Sequence, residues 1–133
     1  MSSYNSNEYS TYRINRAKET LNEVEILIEN KLWNTSINRM YYACFYAVSA
    51  LLVKNGIEAS THKGVRQQFG QAFVKKGMVS RELAKHYTDM FEKRSKGDYN
   101  DFFDYEEDTV VSLFPLTVTF VTTIEGLLKN RES

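Results

Sequence analysis

The stretch WNTSINRMYYACFYAVSALLVKNG, residues 33–56, predicts a helix that must be covered on most of its sides. Apolar residues recur along it at steps of three and four, the spacing of one helix face: Trp33, Ile37, Met40, Cys44, Val48 and Leu51. The opposite side is also largely aromatic or apolar: Tyr42, Phe45, Tyr46, Ser49 and Val53. Such a helix is central in its domain, forms a dimer interface, or does both. Because symmetric homodimers are common, we predict that the chain dimerises through it.

The boundaries of this helix and four further helical segments follow from capping signals and apolar spacing. We expect the helix to begin near Asn34 or Thr35 and to end at Asn55-Gly56, where glycine adopts the left-handed turn that closes helices. The other segments are approximately 14–28, 61–77, 80–94 and 104–129. The sequence therefore predicts an all-α, up-and-down bundle of four to five helices, in which a flexible polar tail, residues 1–9, precedes a single domain, residues 10–133.

The last segment is rich in β-branched residues, which favour strands, but its apolar residues also keep a helical period. We predict a long helix, with Asp104 and Glu107 as a capping box at its start. Pro115 should bend it, because proline cannot donate a hydrogen bond to the preceding turn. Whether the segment forms one kinked helix or two is left open. Residues 109–124 are uncharged but fall short of the roughly 20 residues that span a bilayer, so we expect burial and no membrane contact.

The composition narrows the classes of function. Seventeen Lys and Arg balance seventeen Asp and Glu among 133 residues, so any RNA binding must depend on a local patch. Cys44 is the only cysteine and fits a buried core residue in a cytoplasmic protein. The two histidines, His62 and His86, have no partner at metal-ligand spacing, so we expect no metal and no cofactor. We expect His62 to cap or pack in the loop before the third helix.

The stretch RSKGDYNDF, residues 94–102, holds the main candidates for a functional site. Arg94 keeps the register of a buried stripe, and a guanidinium there needs a carboxylate, a carbonyl or a ligand phosphate. There are therefore two interpretations of Arg94, Asp98 and Tyr99. They form a functional cleft, or an ion pair closes the fourth helix while the tyrosine caps the core. Arg39 could enter the same cleft or pair with a nearby carboxylate. The aromatic run at 41, 42, 45 and 46 suits core packing better than base stacking.

Three pieces of the chain together resemble the HEPN family: NRMYYA at 38–43, the loop from Gly56-Ile57 to Thr61-His62, and Arg94 with Asp98-Tyr99. The resemblance covers roughly residues 17–128. It implies a bundle of four or five helices that dimerises near its polar site. Many members resemble metal-independent ribonucleases, in which a histidine follows the arginine by four to six residues and acts across a dimer cleft. Others accompany a minimal nucleotidyltransferase in toxin–antitoxin pairs, where a tyrosine downstream of the arginine can receive adenylyl groups.

This chain lacks a histidine between residues 95 and 102, and a tyrosine with a pKa of about 10 is a poor base at neutral pH. We therefore expect no RNA cleavage. The leading hypothesis is a homodimeric nucleotide- or RNA-linked regulatory module that pairs with a nucleotidyltransferase and is modified at Tyr99. One alternative is a ribonuclease toxin that uses Arg94 and a substitute for the histidine. Another is a non-catalytic nucleotide-binding module.

Overall fold

The computed structural model describes residues 6–99 and 103–130, and this part of the chain forms five α-helices and no strand. The helices are α1 (Ser6–Glu29), α2 (Trp33–Lys54), α3 (His62–Phe69), α4 (Arg81–Tyr99) and α5 (Glu107–Asn130). A π-helical turn, Gly70–Val74, continues α3. The predicted all-α fold is thus confirmed, and the β-branched last segment is a single helix that runs through Pro115.

The α2 helix lies at the centre of the bundle, in contact with α1, α3, α4 and α5. Half of its 22 residues are buried, including Ile37, Tyr41, Cys44 and Leu51. The opposite side of the helix is only partly exposed: Tyr42, Phe45, Tyr46, Ser49 and Val53. The chain itself therefore supplies most of the cover that α2 requires, and the homodimer stays a prediction.

Two predicted helix starts are visible as side-chain caps. The Thr61 hydroxyl accepts a hydrogen bond from the Gly64 N–H at 2.9 Å and caps α3. The Ser80 hydroxyl accepts one from the Leu83 N–H at 3.1 Å and caps α4. Gly56, at φ 69°, ends α2 in the left-handed conformation that its position predicted.

The chain starts its first helix earlier than predicted. Residues 6–9, which were assigned to a polar tail, form the first turn of α1, and residues 1–5 lie outside the described range. The buried Ser10 hydroxyl donates a hydrogen bond to the Ala50 carbonyl of α2 at 2.9 Å, which holds this end of α1 against the bundle. The α2 helix likewise begins one residue early, at Trp33.

The connection between α4 and α5 also differs from the prediction. The α4 helix continues past residue 94, where the predicted segment ended, through Gly97 to Tyr99. The α5 helix begins at Glu107, three residues after the predicted capping residue Asp104. The cause is Asn34, whose amide side chain binds the backbone on both sides of Asp104 and keeps that segment non-helical.

The α5 helix is long and apolar enough to cross a membrane by length and composition alone, from Glu107 to Lys129. Several of its residues nevertheless lie in the protein core, including Val110, Phe120 and Ile124. The helix packs against α2, α1 and α4. One side of α5 therefore belongs to the core of the bundle, as predicted, while much of the remaining apolar segment is not buried.

Candidate functional site around Arg94

Three helices bring polar and aromatic side chains together beside the middle of α2. The α2 helix contributes Asn38, Tyr41 and Tyr42, which lie three and four residues apart and so share one side of the helix. The α4 helix contributes Phe91, Arg94 and Asp98 at the same spacing, and α3 contributes its first residue, His62, together with Arg66. Contacts between α2 and both other helices hold the three sets in place.

The Arg94 guanidinium lies over aromatic rings. Its Cζ atom is 5.0 Å from the Tyr41 ring centroid, 5.7 Å from that of Phe91 and 5.8 Å from that of Tyr42. Its side chain is only 14% exposed, and its Nε atom is buried without a hydrogen-bond partner. Arginine thus lies along the inner stripe of α4, as its register predicted, and the rings stabilise its charge through cation–π contact.

Asp98 forms the ion pair with Arg94 that the sequence suggested, but the pair is long. The Nη1 atom of Arg94 is 3.4 Å from the Asp98 carboxylate, which is 37% exposed. The Asn38 amide lies 3.5 Å from both carboxylate oxygens. A weak, partly solvated pair of this kind adds little stability. The carboxylate therefore neutralises the guanidinium only partly.

Tyr99, the candidate for modification, is the last residue of α4. Its backbone position places it directly after Asp98 and five residues after Arg94. Its side chain lies outside the part of the structure that is described.

Arg39 pairs with a carboxylate, but with one on α1 rather than one at the start of its own helix. Its Nε atom is 3.7 Å from a carboxylate oxygen of Glu23 on α1, which is an ion pair. Its Cζ atom is also 5.1 Å from the centroid of Tyr42, the ring that Arg94 contacts from 5.8 Å. Arg39 and Arg94 therefore flank one tyrosine.

His62 is the residue that sequence reasoning missed at this site. Its Nδ1 atom lies 2.6 Å from the Tyr41 hydroxyl, and its ring stacks on Phe45 with centroids 4.5 Å apart. Burial, and then the positive charge of Arg94, lower the pKa of His62 below its ordinary value, so the ring is neutral at pH 7. The sequence placed the start of the third helix near Thr61 and His62, but it did not predict that His62 would contact Tyr41 on α2.

A third guanidinium completes the positive side of the site. Arg66, one turn after His62 on α3, has its Cζ atom 4.6 Å from the Phe91 centroid. Arg94 contacts the same ring from 5.7 Å. The site thus concentrates arginines in a chain whose formal net charge is zero.

The remaining candidates have structural roles. Cys44 is fully buried, and burial raises the pKa of its thiol, as expected for a core residue. His86 is buried, and its Nε2 atom is 2.9 Å from the Thr117 hydroxyl. Across residues 6–99 and 103–130, no group of three or more His, Cys, Asp and Glu side chains is placed to hold a metal ion.

Tyr41 is fully buried, whereas the rings of Tyr42, Phe45 and Tyr46 are partly exposed. The first ring of the aromatic run is therefore part of the core, and the other three lie at the edge of the core, next to solvent. A cleft of about 890 Å³ lies beyond Phe45, between the start of α1, α2 and the loop 56–60. Arg94 does not line this cleft.

Comparison with known families decides the identity of this bundle. A family profile described as "HEPN domain" matches residues 10–127. The chain belongs to the HEPN domain family. A UPF0332 protein of Thermotoga maritima is 41% identical over 115 residues, which are 86% of this chain and 87% of that protein. "Putative toxin MJ0605" of Methanocaldococcus jannaschii is 33% identical over 114 residues, with 86% and 84% coverage.

The fold comparison agrees. The crystal structure of ST0689, an archaeal HEPN homologue, superposes with a TM-score of 0.72 and covers 90% of this chain and 97% of that one. At 14% sequence identity this match establishes the HEPN fold alone. The resemblance that the three sequence pieces carried is thereby confirmed.

Proposed function

We propose that this HEPN domain is the toxin of a toxin–antitoxin pair and acts as a cytoplasmic homodimer that binds RNA or a nucleotide through phosphate at Arg94. A minimal nucleotidyltransferase is the proposed partner, and Tyr99 is the proposed site of its modification. Support comes from relatives that carry the name toxin, and from the family resemblance of residues 94–99.

The observation that carries the proposal is the environment of Arg94. Its guanidinium is positioned by Tyr41, Tyr42 and Phe91, while its carboxylate partner Asp98, at 3.4 Å, is partly exposed. Arginine has five N–H donors in a planar fork that matches phosphate geometry. A phosphate can therefore replace or join Asp98 without unpacking the core.

Modification of Tyr99 would act on this guanidinium through charge. The phenol oxygen attacks the α-phosphate of ATP and pyrophosphate leaves, with the partner enzyme supplying the magnesium and its carboxylate ligands. The product carries a phosphodiester charge and an adenine on the helix end that bears Arg94 and Asp98. Either group would compete with RNA for the arginine.

Intact-mass and peptide mass spectrometry, after incubation with the neighbouring nucleotidyltransferase and ATP, tests the modification. We expect one or more adenylyl groups on Tyr99 and no labelling of Tyr99→Phe. Tyr12→Phe is the matched control, because Tyr12 is 58% exposed on α1 and its loss should not reduce labelling. Undiminished labelling of Tyr99→Phe would reject Tyr99 as the acceptor.

Growth after induced expression tests the toxin role separately. Wild-type chain should arrest growth, and Arg94→Ala should restore it. Arg16→Ala is the control, because Arg16 also stacks on a tyrosine, with its Cζ atom 5.2 Å from the Tyr46 centroid, but lies on α1. Equal toxicity of wild type and Arg94→Ala would contradict the proposed role of this arginine.

A further inference from the structure

We infer that the cleft beside Phe45 is a second phosphate site, in which the Arg13 guanidinium binds the phosphate of a nucleotide whose base lies against the apolar wall of the cleft. The cleft has a volume of about 890 Å³ and lies between the start of α1, the end of α2 and the loop 56–60. A volume of this size is typical of sites that enclose a small organic ligand. The inference goes beyond the proposed function, because Arg94 does not line this cleft.

Arg13 differs from the neighbouring arginines in its charge balance. Arg16, Arg39 and Arg94 each form an ion pair with a carboxylate. Among the residues that the structure describes, Arg13 forms no ion pair, and its Nε atom is buried without a hydrogen-bond partner. Its Nη2 atom donates to the Tyr9 hydroxyl at 2.8 Å, but a hydroxyl does not balance the positive charge. A partly buried guanidinium of this kind favours an anion beside it.

Two aromatic rings hold the Arg13 guanidinium in position. Its Cζ atom is 5.2 Å from the Tyr9 centroid and 5.9 Å from the Tyr46 centroid. Contact with the face of a ring leaves the N–H donors at the edge of the guanidinium free to bind a phosphate. Because the side chain is already positioned, binding a ligand orders few additional rotamers.

The other walls of the cleft match the remaining parts of a nucleotide. Phe45 lines the cleft and is partly exposed, so its ring offers an aromatic surface to a base. Ser49 and Ser60 also line the cleft, and their hydroxyls can donate to or accept from a ribose. Aliphatic side chains complete the apolar wall: Leu52, Val53, Ile57 and Val65.

The charges around the cleft favour a ligand with a single phosphate group. Arg13 and Lys54 contribute two positive charges to its lining, and Glu58 contributes one negative charge. One net positive charge matches a monophosphate or a phosphodiester, whereas the triphosphate of ATP would place excess negative charge near Glu58. A free mononucleotide and a linkage of single-stranded RNA both supply such a phosphate, and the experiment distinguishes these two sources.

Titration of the isotope-labelled full chain with AMP, followed by NMR, tests the site. We expect the backbone amides of Ser49, Ile57 and Ser60 to shift at AMP concentrations up to about 1 mM, within the ordinary range for cellular ligands. Adenosine, which lacks the phosphate, should bind about tenfold more weakly or worse. A tetraribonucleotide without a terminal phosphate is titrated in the same way. Shifts with AMP assign the site to free nucleotides, and shifts with the tetramer alone assign it to an RNA strand.

Arg13→Ala should raise the Kd of the ligand that binds by about tenfold or more, because it removes a charge-assisted hydrogen bond. Arg16→Ala is the matched control and should keep the wild-type Kd. Arg16 also lies over Tyr46, at 5.2 Å, but it pairs with Glu19 and does not line the cleft.

A second variant closes the cleft without touching Arg13. Ser60→Trp introduces a large side chain at an exposed loop position that lines the cleft, and it should abolish the shifts. Thermal denaturation shows whether both variants are folded, and if Arg13→Ala is not, the folded Ser60→Trp decides. If neither ligand shifts the cleft amides, or if folded Arg13→Ala binds as tightly as wild type, the inference is wrong. If the shifts appear around Arg94 instead, the inference is also wrong and the proposed function stands.

Discussion

The amide side chain of Asn34 should be a local determinant of stability, because it joins the start of α2 to the segment before α5. Its Nδ2 atom donates to the Phe103 carbonyl at 2.6 Å, and its Oδ1 atom accepts from the Tyr105 N–H at 3.0 Å. Both hydrogen bonds are partly buried. Asn34→Ala removes both and leaves two backbone groups to find water.

The expected cost follows from these two bonds. Each net hydrogen bond contributes about 1 kcal/mol, so Asn34→Ala should lower the free energy of unfolding by about 2 kcal/mol. For a chain of this length that corresponds to a fall in Tm of roughly 6–10 °C. Urea denaturation followed by circular dichroism measures the free energy, and a thermal scan measures the Tm.

Asn30→Ala is the matched control. The Asn30 amide donates to the Ile26 carbonyl at 2.8 Å at an exposed helix end, where water can replace it. We expect a loss of about 0.5 kcal/mol or less for this variant. If Asn34→Ala is as stable as wild type, or no less stable than Asn30→Ala, the reasoning that assigns this connection to Asn34 is wrong.

Two further predictions concern the whole fold. The free energy of unfolding should stay level above about pH 7.5 and decrease as the pH falls through about 6.5. The pKa values of His86 and His62 are lowered in the folded chain, so the unfolded chain binds the proton first. Urea midpoints across this range should show a smaller slope for His86→Gln. Sedimentation equilibrium at micromolar concentration should give twice the 15.5 kDa chain mass, and a single species of 15.5 kDa would contradict the homodimer.

The sequence predicted the helices well because each signal is local. Apolar spacing and end signals located α2 to within two residues, and the segments that begin near Thr61 and Ser80 start at the hydroxyl caps of α3 and α4. The error at α5 arose from a contact between distant residues. Asp104 and Glu107 satisfy the capping-box pattern, but Asn34, 70 positions earlier, binds the backbone beside Asp104. A local sequence pattern cannot predict that a side chain from a distant part of the chain will bind this backbone.

The sequence likewise predicted the position of the site residues but not their neighbours in the fold. The register of α4 predicted that Arg94 points inward, and it does, but a register cannot say which rings surround it or which helix faces it. Composition could not predict the cluster of arginines either, because a net charge of zero does not report how charges are distributed over the fold. In the folded chain Arg39 and Arg94 share Tyr42, while Arg94 and Arg66 share Phe91. The shared rings thus bring three guanidiniums into one region of a chain whose net charge is zero, and two of them, Arg39 and Arg94, also pair with the carboxylates of Glu23 and Asp98.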